Sequence, residues 1–148
     1  MSTYTQIIYH FVFSTKYRKP TLVQSEKKRL FAYIHQVLTN KKCHLYRING
    51  MEDHLHILTH VHPMIAPSAL IKDIKLASSD FIKSERIFPN FKGWQDGYAA
   101  FTETIKAKER LIQYVKNQEE HHKMVTFLEE YKAMLKEYEI EFDPKYLL

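Results

Sequence analysis

Over residues 5–13, β-branched and aromatic side chains alternate along the chain. Ile7, Tyr9, Phe11 and Phe13 share one face of a predicted strand, and Ile8 and Val12 lie on the other, so both sides are at least partly covered. A basic turn follows, Lys16-Tyr17-Arg18-Lys19-Pro20. Then the period changes. Leu30, Tyr33, Ile34, Val37 and Leu38 recur at helical spacing, with Ser25 as the expected N-cap and Lys41 and Lys42 at the end. Residues 44–49 and 54–60 read as two short strands, with Gly50 in the turn region. Leu70, Ile71, Ile74, Ala77 and Phe81 predict a second helix over about 67–84, with Leu76 less well placed and Pro67 tolerated in the first turn. A loop with Phe91, Trp94, Gln95 and Gly97 leads to a last short strand over 98–102. Helices over about 106–120 and 125–138 finish the chain.

The order strand, helix, strand, strand, helix, strand, then helices predicts an α+β fold. It is the order of a ferredoxin-like or RRM-like sandwich: an antiparallel sheet with helices on one face, plus C-terminal helices. The sheet's other face would be left for a ligand or a partner subunit. No repeat or linker interrupts the 148 residues, which suits one domain over 1–148.

Composition narrows the picture. Ten Tyr, nine Phe and one Trp favour a sheet-containing fold, and three Gly with five Pro argue against disorder. Net charge is +5, which suits a polyanionic partner. The lone cysteine, Cys43, cannot form an internal disulfide and reads as a small buried apolar residue. The first apolar stretch, residues 7–13, is interrupted by His10 and too short to span a bilayer, so a soluble, cytoplasmic protein with no membrane partner is expected.

The densest chemical signal is Asp53-His54-Leu55-His56-Ile57-Leu58. Strand side chains alternate, so His54 and His56 share a face about 6 to 7 Å apart and can converge on one metal ion, while Leu55 packs inward. Two ordinary half-exposed histidines would give the same pattern. His60 and His62 share the parity but run into Pro63, and they read as structural or solvent-facing. Tyr114 and Gln118 lie one helical turn apart, where a hydroxyl and an amide oxygen can reach a common centre. Gln is a hard oxygen donor suited to Mg²⁺ or Mn²⁺. A plain packing stripe of Leu111, Tyr114, Val115 and Gln118 remains open. Glu119 and Glu120 before His121 and His122 could form a helix-end metal site, but a solvated helix end is the preferred reading. The carboxylates form no pair suited to acid/base work. A Gly-rich phosphate loop, a zinc-type cysteine pair and a Ser-His-Asp arrangement are all absent.

Candidate DNA contacts are basic residues with interleaved aromatics: Lys16, Arg18 and Lys19 in the turn, Lys72 and Lys75 on the second helix, Trp94 in the loop, and Lys106 and Arg110 opening the third helix.

Together these pieces resemble the single-tyrosine transposases of bacterial insertion sequences, including the REP-associated tyrosine transposase-like group, within the HUH nuclease class. "YHFVFSTKYRKP" resembles the family's first strand and basic turn, and "GMEDHLHILTHVHP" its His-hydrophobic-His strand. "FKGWQDGYAAFT" resembles its Trp-Gln-x-Gly-Tyr segment, and "LIQYVKNQEEHHK" its tyrosine helix. The resemblance implies His54, His56 and Gln118 as ligands of Mg²⁺ or Mn²⁺ and Tyr114 as nucleophile. It also implies a homodimer, with active sites that can be composite between subunits. The activity implied is cleavage and rejoining of single-stranded DNA at element ends with subterminal hairpins, through a 5′-phosphotyrosine. Two alternatives stand beside it: a non-catalytic single-stranded nucleic-acid-binding module, and a domesticated nuclease of the same class acting on repeated chromosomal hairpins.

Overall fold

The computed structural model describes residues 2–147. Four strands, β1 (Ile8–Ser14), β2 (Leu45–Gly50), β3 (His54–His60) and β4 (Ala99–Glu103), form one antiparallel sheet in the order β2-β3-β1-β4. β1 and β3 pair centrally, with Val12 opposite His56 and Ser14 opposite His54. Gly50 closes β2 where the chain doubles back. A Cβ there would meet the His54 carbonyl oxygen at 2.1 Å, so only glycine fits.

Helices α1 (Lys27–Asn40) and α2 (Pro67–Glu85) cover one face. Their apolar stripes, Leu30, Ile34 and Leu38 with Leu70, Ile71 and Ile74, pack on Phe11, Phe13, Leu55 and Ile57. Leu76 points away and is exposed. Ser25 does not cap α1. A short 3-10 turn over Gln24–Glu26 runs directly into the helix, and no side chain caps it.

The opposite face is not left open. Three C-terminal helices of the same chain, α3 (Lys108–Lys116), α4 (Gln118–His121) and α5 (Phe127–Glu137), lie over it. Leu111 and Val115 of α3 pack on Ile8 and Leu58. Phe127, Tyr131, Met134 and Leu135 of α5 pack on Val12, Ala99 and Phe101. The single helix expected over 106–120 is interrupted at Asn117, so α3 and α4 are separate segments. A capping box starts α5: Thr126 Oγ1 accepts from the Glu129 amide at 3.2 Å, and Glu129 Oε1 accepts from the Thr126 amide at 3.1 Å. Among the described residues no helix is long and apolar enough to cross a membrane.

Candidate active site and metal centre

The alternation of β3 sends Leu55 and Ile57 into the α1/α2 core and His54 and His56 to the other face, where both are fully buried. Above them α4 delivers Gln118, the following turn delivers His122, and α5 delivers Glu130. Glu130 Oε1 lies 3.0 Å from His56 Nε2, 3.0 Å from His122 Nε2 and 3.5 Å from His54 Nε2. Gln118 Oε1 lies 3.0 Å from His54 Nε2 and 2.9 Å from His122 Nε2, while its amide nitrogen donates to Glu130 Oε2 at 2.9 Å. Tyr114, half-buried on α3, donates its hydroxyl to the same Glu130 Oε2. Candidate ligand atoms of His54, His56, His122 and Glu130 all fall within 4.8 Å of one another.

The outer nitrogens of these rings are held as well. His54 Nδ1 is bonded to Asp53 Oδ1 at 2.7 Å, and His122 Nδ1 to the Val125 carbonyl at 2.7 Å. A carboxylate and a carbonyl only accept, so each Nδ1 carries the proton, and in the neutral ring Nε2 presents a lone pair inward. His56 Nδ1 meets His10 Nε2 at 2.8 Å. Phe127 stacks on the His54 ring at 4.1 Å between centroids. The inward lone pairs therefore face the Gln118 and Glu130 oxygens, which are acceptors too. Such a centre demands positive charge, from protons on Nε2 or from a cation. The donor set fits a divalent metal ion.

The titration behaviour follows from this geometry. Burial, with the His56 charge, lowers the pKa of His10 to about 3. Burial also lowers His56, against the pull of Glu130. For His122, burial acts downward, but the bond to Glu130, its charge and the Val125 carbonyl leave it net raised. Burial pushes Glu130 up, yet bonds from His122, His56 and Tyr114 outweigh it and hold the carboxylate far below its usual range. Burial and then the Glu130 charge raise the Tyr114 phenol well above its usual range. Burial and a negative neighbour make Tyr114 a reluctant phenolate.

All four groups singled out as ligands or nucleophile, His54, His56, Gln118 and Tyr114, are thus brought together within one chain. The packing stripe is also present, but Leu111 and Val115 fill it while Tyr114 and Gln118 turn to Glu130. His60 and His62 stay outside the cluster and accept backbone bonds from Ile7 and Met64. The solvated helix end over 119–122 is corrected for its histidines. Glu119 and Glu120 are exposed, whereas His122 and, at 3.4 Å, His121 turn inward to Glu130. Glu130 was not singled out from sequence, and a signal for it exists. Phe127, Tyr131 and Met134 form a helical stripe, and Glu130 occupies a position inside that stripe where an apolar residue belongs.

A cavity of about 310 Å³ opens beside Tyr114 between α3 and α5, lined by His10, Arg110, Tyr114, His121, Glu130 and Glu137 among others. The other basic candidates are scattered. Lys72, Lys75 and Trp94 line a separate cavity of about 380 Å³ on α2. There Lys75 donates to the Gln95 and Gly97 carbonyls at 2.8 and 2.6 Å, and Trp94 donates to Ser78 and packs edge-on against Phe13. Lys16 and Lys19 flank a third cavity of about 180 Å³, beside Lys92. Arg18 donates to the Leu147 carbonyl, and Lys106 is exposed in the turn before α3.

A family model described as "Transposase IS200 like" matches residues 3–118. This chain belongs to the IS200-like transposase family. The transposase for insertion sequence element IS200 of Salmonella typhimurium (strain LT2) is 25% identical to this IS200-like chain over 122 residues, 78% of the chain and 79% of the relative. The protein of the same description from Salmonella typhi matches equally. Two solved structures share the fold. One, of a transposase-like protein from Deinococcus radiodurans R1, aligns with TM-score 0.62 and 24% identity over 80% of this chain and 95% of that one. The other, a REP-associated tyrosine transposase bound to a REP hairpin, aligns with TM-score 0.62 and 16% identity over 84% of this chain and 76% of that one. The family match ends at Gln118, so His122, Glu130 and all of α5 in this IS200-like chain lie beyond it.

Proposed function

We propose that this IS200-like chain is a metal-dependent tyrosine transposase that cleaves and rejoins single-stranded DNA at hairpin-bearing element ends. The observation that carries the reading is the convergence, within one family-matched chain, of Tyr114 with two strand histidines and a glutamine amide. His54, His56 and Gln118 would hold Mg²⁺ or Mn²⁺. Once bound, such an ion neutralises charge on the scissile phosphate as a Lewis acid. The chain's own groups do the rest. Tyr114 oxygen attacks phosphorus and its proton passes to solvent in the adjoining cavity, while Glu130, which accepts that hydroxyl, positions it. The bond from phosphorus to the 3′ oxygen breaks, the 3′ oxygen leaves as a hydroxyl with a proton from solvent, and the 5′ phosphate stays on Tyr114. Attack by another 3′ hydroxyl reverses these changes and frees the tyrosine, so rejoining needs no ATP.

Arg110 at the mouth of the Tyr114 cavity is the basic candidate nearest the chemistry. Lys16, Arg18, Lys19, Lys72, Lys75, Trp94 and Lys106 are candidates for the flanking hairpin, a substrate class supported by the hairpin-bound relative of the same fold. Assembly of all the groups in one chain supports cleavage in cis, within the homodimer that the family resemblance implies. A DNA substrate places this work in the cytoplasm. The test is incubation with single-stranded DNA carrying subterminal hairpins, plus Mg²⁺ or Mn²⁺, read on a denaturing gel. A protein–DNA adduct abolished by EDTA is expected. Hairpin binding without any adduct in either metal would reject the catalytic reading in favour of a binding module.

A further inference from the structure

We propose that His122 and Glu130, both beyond the family-matched segment, form with His54 and His56 a cage of three nitrogens and one oxygen that selects a transition ion such as Zn²⁺, Co²⁺ or Mn²⁺ over Mg²⁺ and can admit a phosphate oxygen at a further position. The proposal rests on the reading that His54 and His56 bind metal, and it changes which residues share the work and which ion they prefer.

Three observations carry it. The first is spacing. Donors bonded at 2.0–2.1 Å in a tetrahedron stand about 3.4 Å apart. Glu130 Oε1 lies 3.0, 3.0 and 3.5 Å from the Nε2 atoms of His56, His122 and His54, and all four donor atoms lie within 4.8 Å of one another, so small side-chain shifts draw them onto one ion. The second is orientation. The Nδ1 atoms of His54 and His122 are bonded to an acceptor that can only take a proton, Asp53 and the Val125 carbonyl, and His56 Nδ1 is bonded to His10. The bonds to Asp53 and the Val125 carbonyl fix the tautomer and aim the ligating nitrogen, while the His10 contact orients the His56 ring. His122 is supported in this way as fully as His54. The third is charge. His54, His56 and Gln118 are neutral ligands in a buried place, and a divalent ion held by them alone keeps its whole charge out of water. Glu130, 3% exposed, is the one buried carboxylate among the described residues, and it sits at this centre.

Three imidazoles and one carboxylate are a borderline donor set. Mg²⁺ prefers oxygen ligands and octahedral geometry with several retained waters. Gln118 Oε1, beside two of the imidazoles, is placed as an additional oxygen donor when a fifth position is needed.

The full chain, stripped with a chelator, is titrated with Co²⁺ and followed by visible absorption. One Co²⁺ per chain with intense d–d bands is expected. Zn²⁺ should displace it, and Mg²⁺ in thousandfold excess should not; displacement by Mg²⁺ overturns the selectivity. Glu130→Gln and His122→Gln should each weaken Co²⁺ binding by about tenfold or more and shift the bands, and His54→Ala should abolish binding. If His54→Ala abolishes binding while the other two variants keep wild-type affinity and spectrum, the cage is wrong and the histidine-strand reading survives. If His54→Ala binds as wild type, both fall. Histidine side-chain ¹⁵N NMR on the wild-type chain needs no substitution. Zn²⁺ should move the Nε2 signals of His54, His56 and His122 together, and a His122 signal that stays in place overturns the proposal.

Discussion

The two faces of the sheet are built from the same strands by different physics. Toward α1 and α2, β1 and β3 present Phe11, Phe13, Leu55 and Ile57, and the core there is held by area removed from water. Toward α3, α4 and α5 the same strands present His10, Ser14, His54 and His56, equally buried, roofed by Gln118 and Glu130. On the first face any well-filling hydrocarbon serves. On the second the histidines, Gln118 and Glu130 depend on named partners, so position matters more than volume there. Strand alternation puts the two within one residue of each other: Leu55 belongs to one regime, His54 and His56 to the other.

The largest effect separates the faces by activity. Tyr114→Phe removes one hydroxyl from the polar face. Covalent DNA attachment should fall by on the order of 10⁴-fold, with thermal stability and hairpin binding nearly unchanged. Adduct yield on a denaturing gel checks it, and a persistent adduct would remove Tyr114 from the mechanism. The converse variant is Ile74→Ala, on α2 and fully buried against the apolar face. It should lower stability by about 2–5 kcal/mol in urea unfolding, while adduct formation per folded molecule stays at the wild-type level. Lost activity without lost stability in that variant would dissolve the division between the faces.

Alternation made half of this legible in sequence. His54 and His56 were readable because a period of two places them on one face, and Tyr114 with Gln118 because four residues make about one helical turn. The order of strands and helices along the chain followed from where the period switched between two and 3.6. What could not be read is what folds back over the second face. That face was expected to stay open for a ligand or a partner, and α5 of the same chain covers it. His122 and Glu130 take their meaning only from that cover. In a chain with many exposed charged residues, His122 beside Glu119 and Glu120 looks like a wet helix end. The break at Asn117 was equally hidden, since helical spacing continues through it. The Ser25 cap failed for a local reason: a 3-10 turn already leads into α1.

A smaller effect depends on pH. His10 is buried on the polar face, where burial and the His56 charge bring its pKa to about 3. In the unfolded chain a histidine titrates near ~6.5. As pH falls, the unfolded chain takes up the proton first. The contribution is therefore intact above about 6.5 and is lost progressively as pH falls from there toward about 3, at no more than about 1.4 kcal/mol per unit. His10→Gln removes this titration. Urea midpoints of chelator-treated protein at pH 7.5, 6 and 5 should decline less steeply for the variant than for wild type. Parallel declines would show that the remaining polar groups, not His10, set the acid sensitivity.

The smallest effect tests whether the polar face depends on one helix start. Thr126 opens α5 through its capping box with Glu129, four residues before Glu130. Thr126→Ala leaves orphan amide groups at the first turn and should cost about 1 kcal/mol. The α5 core residues pack on Val12, Ala99 and Phe101 of the other face, so the loss should be local. Hydrogen exchange should quicken in residues 127–137 and leave α1 and α2 protected. Co²⁺ affinity should weaken slightly, because Glu130 is held in place by that first turn. If exchange instead rises evenly over both faces, the sheet transmits the disturbance, and the two cores unfold as one unit despite their different construction.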